Sequence, residues 1–309
     1  MNHYQRLQKL KTIYDHSNEL TPTKPWYRAQ LKHFLLDTIN IDAASDITTK
    51  HFSQRNNIVE AVLVSQAKGV LAGSAELAWL AKQFNVEVKV LCKDGTRLKP
   101  GKIIARLRGK AKTLLASERT LVNTVQRMSG IATHTAQIVQ YVSKSSSKTP
   151  FICATRKTLL GALDKKAVVV GGGYTHRLGL FDGVLVKDNH LALLSNLKQL
   201  KGIYYSSKYS RIIEVKTVQQ LKTIITLILD YDVILFDNFS PERIKFALKW
   251  LKKNGLDKPY LFEASGGITA QNVKQYIATG VDAISLGSLT HSAASLNLSL
   301  ELYRDDRAK

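Results

Sequence analysis

In the second half of this chain, polar and charged residues recur at one kind of place. Arg156 and Lys157 follow the apolar run 151–154, Lys187 follows 183–186, Glu214 lies near the end of 211–215, and Asp237 follows Ile234-Leu235-Phe236. Glu263 then leads into Ser265-Gly266-Gly267, and Gly287 follows the run 282–286. If these runs are parallel strands of an α/β barrel, the residues after them converge, because the loops at the C-terminal ends of barrel strands build one concave face. The charges are of two kinds. Arg156, Lys157, His176, Arg177 and Lys187 form a cationic cluster suited to a substrate with several negative groups. Arginine grips a pair of oxygens with two parallel hydrogen bonds, and lysine acts as a point charge. Glu214 and Asp237 offer hard oxygen ligands of the kind that hold Mg²⁺ directly or through water. Ser265-Gly266-Gly267 and Leu286-Gly287-Ser288 add backbone N–H groups that glycine lets approach a phosphate, each before a helical segment, although the same glycines would also serve plain βα turns. Together the set points to a Mg²⁺–pyrophosphate substrate.

The elements that must position these residues follow from the alternation of β-rich and helical stretches. The β-rich runs are 151–154, 167–170, 183–186, 211–215, 232–236, 260–263 and 282–286, and helical stretches fill 218–229, 241–254 and 269–279. Such alternation implies a parallel sheet with covering helices. Strand ends at 187, 214, 237, 263 and 286 recur every 23–27 residues, the length of one βα unit, which favours a (β/α) barrel or part of one. A dinucleotide-binding sheet is disfavoured, since Gly171-Gly172-Gly173 lacks the G-x-G-x-x-G spacing. Earlier in the chain, residues 1–118 read as mixed α/β: a helix over 25–39, a strand over 58–64, a helix over 74–84 and a strand over 86–91. A long amphipathic helix over 114–142 follows, and the polar run 143–148 reads as a linker.

With 309 residues, 44% hydrophobic and 22% charged, the chain has the composition of a soluble globular protein. Residues 1–14 are basic and polar without an apolar core of signal-peptide length, and the most apolar stretch, 224–236, is broken by Asp230 and Asp232. A soluble cytoplasmic protein that makes no use of a membrane is expected. Cys92 and Cys153 have no paired spacing, so each reads as a small buried hydrophobe. The charge of +21, from 45 Lys+Arg against 24 Asp+Glu, attracts polyanions of every kind. Nucleic acid is nevertheless an unlikely main partner, because no helix-turn-helix, zinc-finger or RNP-type pattern accompanies the charge.

Ordered motifs carry a specific resemblance. E-R-T at 118–120, N-x-x-Q-x-x-S-G-I-A-T at 123–133, T-R-K-T at 155–158, G-G-G-x-x-H-R at 171–177 and V-K-D-N-H at 186–190 are followed by L-F-D-N-F at 235–239, E-A-S-G-G-I at 263–268 and I-S-L-G-S-L-T-H-S at 284–292. With D-I-T-T at 46–49 and G-V-L-A-G at 69–73, these resemble quinolinate phosphoribosyltransferase, the carboxylating nicotinate-nucleotide pyrophosphorylase, over residues 40 to 300. The resemblance implies an N-terminal α/β sandwich domain over 1–118, with a C-terminal tail 290–309 packing on it, and an open α/β barrel of parallel strands over 119–289. It implies a homodimer, or a higher oligomer built on it, in which Arg119 reaches the neighbouring subunit's substrate. Arg156, His176 and Arg177 would hold the two carboxylates of quinolinate, and Lys157 and Lys187 would face quinolinate and pyrophosphate. Glu214 and Asp237 would meet the ribose hydroxyls and Mg²⁺, and Ser265, Gly266, Gly267 and Gly287 the 5′-phosphate. The implied reaction joins quinolinate to phosphoribosyl pyrophosphate, giving nicotinate mononucleotide, pyrophosphate and CO₂ for NAD biosynthesis. A related phosphoribosyltransferase with another acceptor is the alternative.

Several positions depart from the family pattern. Ala154 stands where an aspartate is usual, Leu160 replaces a proline, Asn297 replaces an aspartate, and the stretch 158–166 is shortened with loss of a basic position. Among the remaining candidates, His134, His190 and His291 read as structural and Lys165 and Lys166 as surface charges. Arg119 is expected to begin its helical stretch, where a cation opposes the helix dipole.

Overall fold

The repeated βα pattern of the second half closes into a curved parallel sheet. A computed structural model of the chain describes residues 1, 3–37, 46–145, 149–203, 205–257 and 259–303. It contains two units, one made of Met1–His16, Ile138–Thr158 and Gly173–His291, the other of Ser17–Gln137, Leu159–Gly172 and the residues from Ser292.

The first unit is built on six parallel strands in the order Phe151–Cys153, Ala283–Ser285, Leu261–Ser265, Val233–Asp237, Ser210–Val215 and Gly183–Val186. Within this sheet the first strand in sequence thus lies beside the last, and the sheet curls round. An isolated parallel bridge from Cys153 to Tyr174 extends the ring on its far side. Among the described residues no ladder joins that bridge to Gly183–Val186, and the barrel is therefore open there. Three of the covering helices are Val218–Thr226, Pro241–Lys253 and Val273–Ile277. The first two start on serine or threonine caps: Thr217 accepts from the Gln220 N–H and Ser240 from the Arg243 N–H, with Pro241 opening the second helix.

The basic segment at the start of the chain is a helix, His3–Tyr14, that fills the barrel. Leu10, Ile13 and Tyr14 lie on one side of it and join Phe151, Cys153, Leu185, Ile212, Val233, Leu235, Leu261 and Ala283 in a single buried cluster. Its charges meet the starts of strands. Arg6 pairs with Asp282 just before Ala283–Ser285, and Lys9 lies 2.8 Å from Asp232 just before Val233–Asp237. The helix therefore enters from the end opposite the catalytic face.

The second unit carries a four-stranded antiparallel sheet in the order Leu298–Tyr303, Ile58–Ser65, Ile103–Lys110 and Glu87–Val90. Ile103–Lys110 alternates along its length, with Leu107 buried and Arg106, Arg108 and Lys110 turned outward. Leu298–Tyr303 brings the C-terminal segment into this sheet through the pairs Leu63 with Leu300 and Ala61 with Leu302. Of the expected tail 290–309, residues 304–309 lie outside the described residues.

Several expectations are corrected. The run 167–170 is not a strand but the last part of the helix Ala162–Val170, where Leu163, Ala167 and Val168 are buried on one face. Gly171 ends it where a Cβ would come within 2.6 Å of the Ala132 carbonyl oxygen. Packing there overrides the strand preference of three consecutive valines. The long helix runs over Ala111–Ser145, so residues 143–145 of the expected linker are helical, while 146–148 lie outside the described residues. The helix expected over 25–39 is α-helical over Pro25–Leu31 and π-helical over Lys32–Leu36, and its residues 38 and 39 also lie outside them. One of the divisions between the two units falls at 137/138, within the long helix.

Candidate active site

Strand geometry brings the charged residues to one end of the barrel. Asp237 ends its strand opposite Ser265, and Ser265 lies opposite Ser285 in the next strand. Glu214 lies opposite Leu235, two residues deeper than Asp237. The cavity at this end, of about 700 Å³, is lined by Arg156, Lys157, His176, Arg177, Lys187 and Glu214. Asp237, Ser265, Gly266, Gly267 and Gly287 complete the candidate residues in its wall. Arg119 is not in that lining. It stands in the third turn of Ala111–Ser145, its side chain 62% exposed and ion-paired with Glu118, so it does not begin the helix and the dipole argument does not apply to it.

The cations have few protein partners. Arg177 is 7% exposed and one guanidinium nitrogen donates to the Gly183 carbonyl at 3.1 Å, but its Nε is buried without a partner. Burial, and then the charge of Arg156, push the Arg177 pKa below the ordinary arginine value. Two guanidiniums that repel one another in a cavity form a natural seat for a dianion. Lys187 lies 3.4 Å from Glu214. Lys157 is held through its backbone: its N–H donates to Thr155 Oγ1 at 3.1 Å and its carbonyl accepts from Thr290 Oγ1 at 2.7 Å.

The carboxylates face the same space. Burial raises the Glu214 pKa, with Lys187 pulling it down and Asp237 pushing it up. Among the described residues no group of three or more His, Cys, Asp or Glu side chains is placed to hold a metal ion. Two carboxylates without a full protein cage suit Mg²⁺, which keeps water and takes further ligands from a substrate's phosphates.

The glycine turns have a steric cause. Gly266 has φ +92°, and a Cβ there would lie 2.3 Å from Asn238 Oδ1. Asn238, itself at φ 55°, donates its N–H to the Ser265 carbonyl at 2.9 Å, so two neighbouring loops are stitched together. The helix after them begins at Val273, not at 269, because Thr269 and Asn272 form a capped turn: the Thr269 N–H donates to Asn272 Oδ1 at 2.8 Å. At Gly287 a Cβ would crowd His291 and the Lys157 side chain, at 3.0 and 3.2 Å.

His176 lines the cavity, yet both ring nitrogens face protein atoms. Nδ1 accepts from the Arg177 N–H at 2.7 Å, and Nε2 lies 3.4 Å from Glu263 Oε1. Lys216, Asp188 and Asn238 also line the cavity, beyond the candidates read from the sequence, and Glu263, read there only as a strand-end acid, lines it too. Lys216 pairs with Asp188, and its signal was its place two residues after Glu214. His291, expected to be structural, lies in the cavity wall, whereas His190 caps its turn by accepting from the Lys187 N–H at 2.9 Å. Lys165 is 2% exposed and the Lys166 Nζ sits 2.7 Å from the buried Glu76, so neither is the surface charge expected.

A family model described as "Quinolinate phosphoribosyl transferase, C-terminal domain" matches residues 131–301, and its N-terminal counterpart matches residues 46–129. The chain is 39% identical over 248 residues to a probable nicotinate-nucleotide pyrophosphorylase [carboxylating] of Archaeoglobus fulgidus, covering 80% of this chain and 95% of that protein. It is 37% identical to the nicotinate-nucleotide pyrophosphorylase [carboxylating] of Mycobacterium leprae, over 83% of this chain and 91% of the relative. The crystal structure of NadC from Streptococcus pyogenes superposes with a TM-score of 0.77 at 30% identity, covering 89% of this chain and 97% of that one.

Proposed function

The chain belongs to the quinolinate phosphoribosyltransferase family, and on that premise we propose how its cavity carries out the carboxylating nicotinate-nucleotide pyrophosphorylase reaction of NAD biosynthesis. Quinolinate and phosphoribosyl pyrophosphate are the substrates; nicotinate mononucleotide, pyrophosphate and CO₂ are the products. The observation that carries this reading is the presence of two kinds of charge in one cavity: Arg156 and a buried, incompletely satisfied Arg177 together with Glu214 and Asp237.

Arg156 and Arg177 take the two carboxylates of quinolinate and orient the ring nitrogen toward C1 of the ribose. Lys157 and Lys187 lie against the pyrophosphate and neutralise the negative charge that grows on it as its bond to C1 breaks. Glu214 and Asp237 face the ribose, where carboxylates steady the oxocarbenium-like carbon and its hydroxyls. Those two residues would also hold Mg²⁺, which when bound supplies further charge neutralisation for the leaving group. Ser265, Gly266, Gly267 and Gly287 receive the 5′-phosphate. Once the ring nitrogen is ribosylated it is cationic, so the bond to the adjacent carboxylate breaks with its electron pair left on the ring carbon. That carbon then takes a proton. Positioning and neutralisation suffice, and no protein nucleophile is needed.

The domain division at 118/119, a homodimer in which Arg119 completes the partner's site, and a cytoplasmic setting belong to the same proposal. The test is turnover with phosphoribosyl pyrophosphate and Mg²⁺, comparing quinolinate with nicotinate. Quinolinate alone should be consumed. Equal use of nicotinate, or rejection of both rings, overturns the assignment of Arg156 and Arg177 to a pair of carboxylates.

A further inference from the structure

Tyr14 has no place in the reaction as described, yet it is the last residue of the helix inside the barrel and is wholly buried. Its hydroxyl donates to Glu263 Oε2. The other oxygen of Glu263, Oε1, accepts from Ser285 Oγ and lies 3.4 Å from His176 Nε2. The Tyr14 ring is tilted against the His176 imidazole at 4.9 Å. The Tyr14 carbonyl accepts from both the N–H and the hydroxyl of Thr175, at 3.0 and 2.7 Å. Hydroxyl, ring and backbone of one residue thus all secure the segment 175–177.

That segment requires securing. His176 has φ 53°, a left-handed conformation that a non-glycine residue keeps only when its surroundings over-determine it. Because Nδ1 accepts the Arg177 N–H, the ring proton sits on Nε2 and points at Glu263. The imidazole therefore links the Glu263 carboxylate to the backbone of Arg177. Burial works to raise the Glu263 carboxyl, but the adjoining His176 and hydrogen bonds from His176, Ser285 and Tyr14 outweigh it and bring it below the ordinary carboxylate value.

Resting on the functional reading above, we infer that Tyr14 and Glu263 are positioning residues of the acceptor pocket, acting through His176 to set Arg177 for the carboxylate of quinolinate. The N-terminal helix is then part of the acceptor site, although none of its described side chains lines the cavity. The phosphoribosyl pyrophosphate side, built from Glu214, Asp237 and the glycine turns, does not depend on it.

The test compares Tyr14→Phe, which removes one hydroxyl, with Leu10→Ala, which opens a gap in the same helix away from Glu263 and His176. Tyr14→Phe should raise the KM for quinolinate about tenfold, the worth of one hydrogen bond to a charged group, and leave that for phosphoribosyl pyrophosphate within about twofold. Leu10→Ala should lower Tm further than Tyr14→Phe while leaving the ratio of the two KM values unchanged. In a double-mutant cycle, Tyr14→Phe should add little to His176→Asn, because both break the same chain of contacts. If Tyr14→Phe moves both KM values together or neither, the positioning role is overturned. Wild-type protein assayed alongside separates the two readings: an inactive wild type defeats the functional assignment, whereas an active wild type with an unaltered Tyr14→Phe defeats the relay alone.

Discussion

Replacing Arg177 with methionine should separate what this guanidinium costs the fold from what it gives the site. Arg177 is 7% exposed, its Nε has no partner, and burial followed by Arg156 pushes its pKa down, so the folded protein disfavours the charge it carries. Exchanging a buried ion for an apolar side chain of similar size is commonly neutral or stabilising by about 1–4 kcal/mol. The lost hydrogen bond to the Gly183 carbonyl returns about 1 kcal/mol of that, and the attraction of Asp182 and Glu214 for the guanidinium removes more. The net gain is about 0–2 kcal/mol, seen in calorimetry as a Tm that is unchanged or higher by a few degrees. Function should move the other way. Truncating one partner of a buried charged pair costs about 2–5 kcal/mol, so kcat/KM for quinolinate should fall by about thirtyfold to several thousandfold. A Tm lowered by several degrees, with kcat/KM within about twofold of wild type, would refute the claim that the residue is held strained for an anionic ligand.

Glu214→Gln should be more stable than wild type at neutral pH. A carboxyl whose folded pKa is raised weakens the fold above that pKa, and the difference should close as pH falls toward the ordinary 4.5; urea melts at pH 7 and pH 4.5 read it, and a gap that widens in acid contradicts it. Arg127→Ala strands Asp164, whose side chain is fully buried and bound by Arg127 at 2.7 and 2.8 Å, and should cost about 3–5 kcal/mol in denaturant melts. A cost under about 1 kcal/mol would show that the Leu159 and Leu160 N–H groups alone satisfy Asp164. Gly266→Ala puts a Cβ against Asn238 and should raise the KM for phosphoribosyl pyrophosphate, not for quinolinate; the opposite split removes this turn from the phosphate site. Inactive Arg119→Ala and Lys187→Ala protomers should recover activity in verified mixed dimers, and no recovery means that the site is not shared.

The barrel end of this molecule was legible because its strands are short apolar runs, each followed by a charged residue or a glycine turn. Lys187, Asp237 and Gly287 could be found from that rule alone. The helix His3–Tyr14 was not, since it is mostly polar and its few apolar residues, at Leu7, Leu10, Ile13 and Tyr14, declare their purpose only when the barrel interior is there to receive them. Ile103–Lys110 received no assignment although buried Ala105, Leu107 and Gly109 alternate with exposed Arg106, Arg108 and Lys110, because its outward face is wholly basic and its apolar face holds a single large residue over that span. The valines at 168–170 point to a strand on propensity, and only the glycines at 161 and 171 hint at the ends of a short packed helix. Glu263 was visible as a strand-end acid, but its task depends on Tyr14, Ser285 and His176, which come together only in three dimensions.

In the proposed reaction one cavity joins the ring to the ribose and then releases the carboxylate beside the ring nitrogen. Quinolinate labelled at that carboxylate, mixed with phosphoribosyl pyrophosphate, Mg²⁺ and excess enzyme, tests it in a single turnover. Labelled CO₂ and pyrophosphate should appear in equal amounts, with nicotinate mononucleotide as the organic product. Pyrophosphate without labelled CO₂, or neither, would contradict it.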